Sequence, residues 1–276
     1  MTRKIFFTSL ILLITIIFLA LKAPKEFSIK EVQSNMVIVN DSFYVCKYEC
    51  SNFEYRSFIK ELENRNDVEQ LKRCAVDSAK WVNENFRMEP YVNYYHRHPA
   101  YDDYPVVCVP FSGAVKFCEW ITDKYNAWPK RKFKKVRFYL PDEIEWKLAA
   151  RGGNPHNVYP WGGYFLRNSK GAYLANFKAI NDADVYQDSS TVSIGPGVIK
   201  NSFTTTPTNS YFPNKFGLYN VAGNAAEMLN QPGKHKGGSW NCTGYYLRID
   251  AADKYEGVVE PSPFIGFRYF MRVLEK

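Results

Sequence analysis

Histidine is scarce in this chain, with four among 276 residues: His96, His98, His156 and His235. His96 and His98 would point the same way along a strand, but no third ligand stands at a metal-binding spacing, so neither a histidine-built metal centre nor a non-haem iron site is expected. No cysteine precedes Cys46, which excludes a lipid-attached cysteine after the first apolar stretch. There is no internal repeat and no low-complexity tract, and nothing marks a second globular domain. No nucleophile-elbow pattern surrounds Ser239, which sits in a Gly-Gly-Ser turn, so a Ser-His-Asp hydrolase is not indicated. No nucleic-acid recognition motif accompanies the basic residues, and nucleic acid is not an expected partner.

Aromatic residues are abundant, at 17% of the chain, and the hydrophobic fraction of 46% is enough for a proper core. The net charge is +8, and it concentrates in the run from Lys130 to Arg137, read as a solvated loop or as a contact for anionic headgroups or glycans. Arg3 and Lys4 precede an apolar run from Ile5 to Leu21 whose only polar residues are Thr and Ser. At about 1.5 Å per residue this run spans roughly 25 Å, which targets a membrane either as a retained anchor or as a cleaved signal. The flanking cations belong on the cytoplasmic side, so the rest of the chain is expected to be exported: periplasmic or external if anchored, secreted if cleaved. The expected organisation is residues 1–23 as signal anchor or signal peptide, 24–35 as a charged linker, and 36–276 as one loop-rich α+β domain.

Export permits disulfides, and six cysteines allow fifteen full pairings. If Phe43 to Cys50 is a strand, Cys46 and Cys50 share a face about 13 Å apart, too far to bridge. A helix is predicted after Ser51 or Asn52, with Tyr55, Phe58, Ile59 and Leu62 on one stripe. Ser112 to Tyr125 repeats the pattern with Ala114, Cys118, Ile121 and Tyr125. Asp142 and Glu145 form a capping pair for a third helix that Gly152-Gly153 ends. Beyond Gly162 the apolar runs are short and broken by turn residues.

Read in order, several segments resemble the formylglycine-generating enzyme (sulfatase-modifying factor) family. They are Phe43 to Tyr55; His98-Pro99 with Pro105 to Val107; Phe117 to Trp120; Arg137 to Trp146 with Ala149 to Gly153; Tyr159-Pro160-Trp161-Gly162; Pro213 to Glu227; Gly237-Gly238-Ser239-Trp240; and Gly266-Phe267-Arg268. The resemblance implies a C-type-lectin-like fold. It also implies one calcium ion held by Asn220, Glu227 and the carbonyls of Val221, Gly223 and Ala225, an oxygen set of the kind calcium takes. A second family calcium site would match Asn176 and the carbonyl of Phe177. There Lys200 stands where an Asp is expected, and a cation repels calcium; nearby Asp182, Asp184 and Asp188 lack the Gly and distal Glu of a calcium loop.

Family oxidases convert a substrate cysteine to formylglycine with O₂, on a copper(I) ion held by two thiolates. Cys242 matches the first thiolate, and Leu247 stands at the second. The copper pair is therefore absent unless another cysteine, Cys108 or Cys74, folds in beside Cys242. Cys242 and Ser239 are the remaining candidate catalytic residues. The resemblance leaves two readings: a noncatalytic binding or envelope-assembly module, or an oxidoreductase acting on a protein cysteine. In the first, a groove walled by Trp161, Trp240, Tyr245 and Tyr246 would take a protein, peptide or glycan outside the membrane.

Overall fold

Period-two burial in Phe43-Tyr44-Val45 and Val136-Arg137-Phe138 sets one face of each segment against the core, which is the pattern of a strand with one wet side. The computed structural model describes residues 25–41, 43–83, 86–179, 185–188, 191–194 and 204–276; the apolar run from Ile5 to Leu21 lies outside them. No helix among the described residues is long and apolar enough to cross a membrane.

The main sheet is antiparallel, with spatial order β1 (Met36–Asn40), β2 (Phe43–Cys46), β11 (Phe270–Glu275) and β5 (Lys135–Tyr139). The last strand of the chain thus lies between the first hairpin and a central strand, with Phe270 opposite both Val45 and Tyr139. Both edges are blunted. On β5, Asn126 brackets Val136, accepting from its N–H at 2.9 Å and donating to its carbonyl at 3.0 Å, and the Thr122 hydroxyl accepts from the N–H of Phe138 at 2.9 Å. On β1 a register shift between Ile38 and Asn40 breaks the run of pairs. A smaller sheet joins β10 (Ile265–Gly266), β8 (Ala226–Met228) and β9 (His235–Lys236) in that order. Two further ribbons are β3 (Val82–Asn83) with β4 (Phe86–Arg87), and β6 (Val185–Asp188) with β7 (Thr191–Ile194).

Helices α2 (Asn52–Asn64), α5 (Phe111–Ala127) and α6 (Glu143–Arg151) form where the caps and apolar stripes predict them. Ser51 and Glu54 close a reciprocal capping box on α2, as do Asp142 and Glu145 on α6, and Gly152 ends α6 in the left-handed region at φ 58°. The stripe of α2 meets α5 through Tyr55 and Phe117, whose ring centroids are 5.9 Å apart. Cys118 is core, as its face predicts.

Three expectations change. Residues 24–35 are not all linker: α1 (Ile29–Ser34) buries Val32 in the main core, and the Gln33 amide oxygen accepts from Tyr125 Oη at 2.9 Å and from the N–H of Lys132 at 2.7 Å. The basic run ends inside β5 and is a loop only in its first part. The chain bends after Cys46, so Cys46 and Cys50 do not share a strand; all six cysteines are free and buried. Burial pushes the Cys46 thiol up to about 12, helped by nearby Glu54.

The shorter helices are α3 (Val68–Cys74) and α4 (Glu89–Tyr94), and His96 follows the latter and is buried. Its Nδ1 donates to Asn52 Oδ1 at 3.2 Å, because the Asn52 amide nitrogen is already committed to the carbonyls of Tyr95 and Tyr101; Nε2 is buried without a partner among the described residues. Burial, then the charges of Arg97 and Arg56, lower its pKa to about 3. The unfolded chain binds this proton near 6.5 and the folded chain does not, so stability contributed here is lost as pH falls from about 6.5 towards 3. The expected slope approaches about 1.4 kcal/mol per pH unit, and His96→Gln flattens it in denaturant melts at pH 4 to 7. An unchanged slope in the variant would place the titration elsewhere.

Candidate functional site

The Asn220–Glu227 segment is shaped by its backbone: Asn220, Gly223 and Asn224 all have positive φ, at 48°, 81° and 61°. Asn tolerates this region better than other side chains do, and Gly needs no tolerance. The coil turns the segment around a buried carboxylate, Glu49, which is 1% exposed. Glu49 Oε2 accepts from Asn224 Nδ2 at 2.7 Å and Asn220 Nδ2 at 3.3 Å, and Oε1 accepts from the N–H of Ala225 at 3.1 Å. Burial pushes the Glu49 carboxyl up to about 8, opposed by Arg268 and reinforced by Glu227.

Glu227 lies in the same network. Its Oε1 accepts from Arg268 Nε at 2.8 Å, and its Oε2 accepts from Trp146 Nε1 at 2.7 Å. Arg268, 1% exposed, spends its other nitrogens on the carbonyls of Cys46 at 2.9 Å and Tyr219 at 2.6 Å. One guanidinium thus joins β2, the Asn220 loop, β8 and the segment before β11.

Of the oxygens that the resemblance assigns to a calcium ion, those of Glu227 are held by protein donors. Asn220 donates its amide nitrogen to Glu49 and to the carbonyls of Pro207 and Thr208. The Val221 carbonyl lies close against Gly237, and Gly223 lies close against the Asn176 carbonyl. At the second position, Asn176 Oδ1 is buried without a partner among the described residues, while the Asn176 carbonyl accepts from the N–H of Asn224 at 2.8 Å. Phe177 is buried in the same core as Cys242. Asp182, Asp184 and Lys200 lie outside the described residues, and the side chain of Asp188 is not described.

The cysteine site lies one turn beyond β9. Gly237 and Gly238, at φ 89° and 66°, swing the chain so that Ser239 and Cys242 point inward. Ser239 Oγ is 2.6 Å from Tyr255 Oη and 3.6 Å from Cys242 Sγ, and Cys242 Sγ donates to Tyr255 Oη at 3.3 Å. The three form a closed cluster of hydroxyls and thiol. Burial and then Cys242 raise the Tyr255 phenol far above its ordinary value, so it stays a hydrogen-bond donor.

Leu247 ends a short helical turn, Gly244–Leu247, and is fully buried in a cluster with Cys242, Tyr159, Ala175, Phe177 and Ala222. The other five sulfurs belong to different clusters: Cys46, Cys50, Cys74 and Cys118 to the main core, and Cys108 to the one around Trp81. A hydrophobic side chain fills the place of a second thiolate, so the residues present do not fit a copper(I) pair. Of the four aromatics expected to wall a groove, Trp240 is core: it is 7% exposed, and its Nε1 donates to the Pro263 carbonyl at 3.0 Å. Trp161 and Tyr246 pack against the outer side of the Leu247 cluster, and Tyr245 is exposed.

Sequence reading finds Ser239 and Cys242 from their motif and misses Tyr255, while Glu49 and Asn224 stand in matched segments without a role. Arg268 was visible only as part of Gly266-Phe267-Arg268, without its partners.

The fold is that of a single mixed α+β domain also seen in PvdO from Pseudomonas aeruginosa, with a TM-score of 0.53 and 16% identity over 83% of this chain and 80% of that one. CarF is similar too, with a TM-score of 0.51 and 21% identity over 84% of this chain and 87% of that one. Residues 22–273 match the sulfatase-modifying factor enzyme 1-like domain, and the chain belongs to that family. It is 27% identical over 275 residues to the formylglycine-generating enzyme of Bos taurus, covering 83% of this chain and 65% of that protein's length. It is also 25% identical over 205 residues to the inactive C-alpha-formylglycine-generating enzyme 2 of Bos taurus, covering 67% of this chain and 58% of that protein.

Proposed function

We propose that this sulfatase-modifying-factor-like domain is noncatalytic and acts by holding a partner, on the side of the membrane to which its apolar leader would deliver it. The observation that carries this reading is Leu247, fully buried against Cys242 where family oxidases place the second copper thiolate. A lone buried thiol has no second soft ligand within its own cluster. Similarity to a relative whose name calls it inactive is consistent with this. A second reading, an oxidoreductase acting on a protein cysteine, is favoured by one feature: Ser239 and Tyr255 still hold Cys242 in a polar setting.

A mass-spectrometric assay separates the two. The full chain, given copper, O₂ and a sulfatase-like peptide containing cysteine, is expected to leave the cysteine unconverted and to bind no Cu(I) at stoichiometric level. Leu247→Cys is expected to gain copper binding. Conversion by the wild type that Cys242→Ala abolishes would sink the noncatalytic reading.

A further inference from the structure

Outside the Leu247 cluster the surface gathers exposed aromatic rings. Tyr164 and Phe165 are consecutive, 74% and 77% exposed, and Tyr245 on the neighbouring turn is 54% exposed. Large apolar rings in one exposed patch mark an interaction surface rather than a scattered remainder. The two turns are in contact: Leu166 packs against Gly244, and Tyr159 Oη donates to the Gly244 carbonyl at 3.2 Å. Beneath them, Tyr159 and Trp161 stack at 4.9 Å with their planes 5° apart, and Trp161 Nε1 donates to the Phe165 carbonyl at 2.9 Å. The protruding Tyr164-Phe165 pair therefore stands on a braced base.

The charge around these rings has one sign. Arg167 lies 4.0 Å over Tyr173, Arg248 lies 5.5 Å over Tyr245, and Lys254 lies 5.3 Å over Tyr246. None of these cations pairs with a carboxylate among the described residues. The acidic groups close to them in sequence are already committed: Asp250 to Arg151 at 2.8 Å, Asp253 to the N–H of His235 at 2.7 Å, and Glu256 to Lys234. Three cations are thus held by ring faces; Arg167 also donates to the Gly171 carbonyl and the Tyr173 hydroxyl, while Arg248 and Lys254 are the two that face outward without a carboxylate among the described residues.

We infer that this surface binds an acidic polypeptide segment that carries aromatic or aliphatic side chains between its carboxylates. Tyr, Trp, Phe and Arg together are the composition of protein–protein hot spots. The unpaired cations supply the complement to a negative partner, which sets specificity and association rate. Stacking also fixes each cation against its ring. A carboxylate on a folded or extended chain matches such fixed points, whereas a lipid surface needs none of that positioning. The inference rests on the binding role proposed above and names the chemistry of its partner.

Fluorescence anisotropy with the full chain tests it. The probes are two labelled peptides of equal length, one alternating Glu with Tyr and Phe, the other with every Glu replaced by Lys. The acidic peptide is expected to bind at least tenfold more tightly and to weaken as NaCl is raised from 50 to 500 mM. The double substitution Arg248→Glu and Lys254→Glu is expected to weaken it at least tenfold, and Phe165→Ser about fivefold. All three side chains are exposed, so thermal melts should match the wild type, and Lys254→Gln provides a milder variant if they do not.

Equal affinity for the two peptides overturns the inference, as does acidic-peptide binding that survives both the charge reversal and Phe165→Ser. So does loss of binding to phosphatidylglycerol vesicles or heparin, but not to peptide, in the same variants. Formylglycine turnover would instead refute the noncatalytic reading, whatever the peptides do. No charge preference together with no turnover refutes only this inference.

Discussion

Arg268→Met should lower the melting temperature by about 10 °C or more, because it removes the only cation among the described residues that is hydrogen-bonded within the buried network containing Glu49 and Glu227. Arg268, Glu227 and Glu49 are each 1% exposed. Breaking a buried pair by removing one partner costs on the order of 3–5 kcal/mol, since the carboxylate left behind has no water to replace the guanidinium. For a domain of this size each kcal/mol moves the midpoint by about 2–4 °C. Two carbonyls also lose their donors, those of Cys46 and Tyr219. The sign of the pH response is a second check. Burial already raises the Glu49 and Glu227 carboxyls, and Arg268 opposes that. Without Arg268 both should rise further, so the folded variant takes up protons that the unfolded chain binds only near 4.5, and acidifying from pH 8 to 5 should recover part of its stability. Wild-type-like melting of Arg268→Met across that range would show that the network is not what joins these elements.

The other large loss is expected from Gly223→Ala. Gly223 has φ 81°, and a Cβ built there would lie 2.4 Å from the backbone carbonyl oxygen of Asn176. Backbone cannot swing aside as a side-chain tip can. That carbonyl is also pinned, accepting from Asn224 at 2.8 Å, while Gly223 itself donates to Gly237 at 2.9 Å. Strain and displacement together should cost about 2–4 kcal/mol in denaturant unfolding. Gly171 provides the comparison. Its φ of 80° is almost the same, but nothing lies within 4 Å of its Cβ position, so Gly171→Ala should pay only the conformational part, about 1 kcal/mol. Equal losses at the two glycines would show that dihedral strain, and not the approach of Asn176, decides the cost.

The helices were legible because their signals are local. Ser51 with Glu54, and Asp142 with Glu145, form caps from residues three apart, and each stripe repeats within a turn. The surroundings of Glu227 show what such signals miss. A carboxylate among Asn and Gly residues looks the same whether it meets a metal or an arginine. Its actual partners, Trp146 and Arg268, are 81 and 41 residues away along the chain, and Glu49 reaches Asn224 across 175 residues. Only the fold brings them together. Leu247 is the converse case: one substitution in a recognised motif was readable at once, while the aromatic surface outside it depends on exposure, which spacing does not reveal. Residues 24–35 were read as linker because six helical residues carry too little periodicity to be noticed, although Val32 fixes them to the core.

The two ends of the main sheet bear on how such a domain behaves when many copies are crowded together. Asn126 and Thr122 occupy hydrogen-bonding groups that β5 would otherwise offer to a neighbour, and the irregular β1 offers no straight run to copy. A domain protected in this way can be concentrated on a surface and present its aromatic patch many times over without its sheets joining into a fibre.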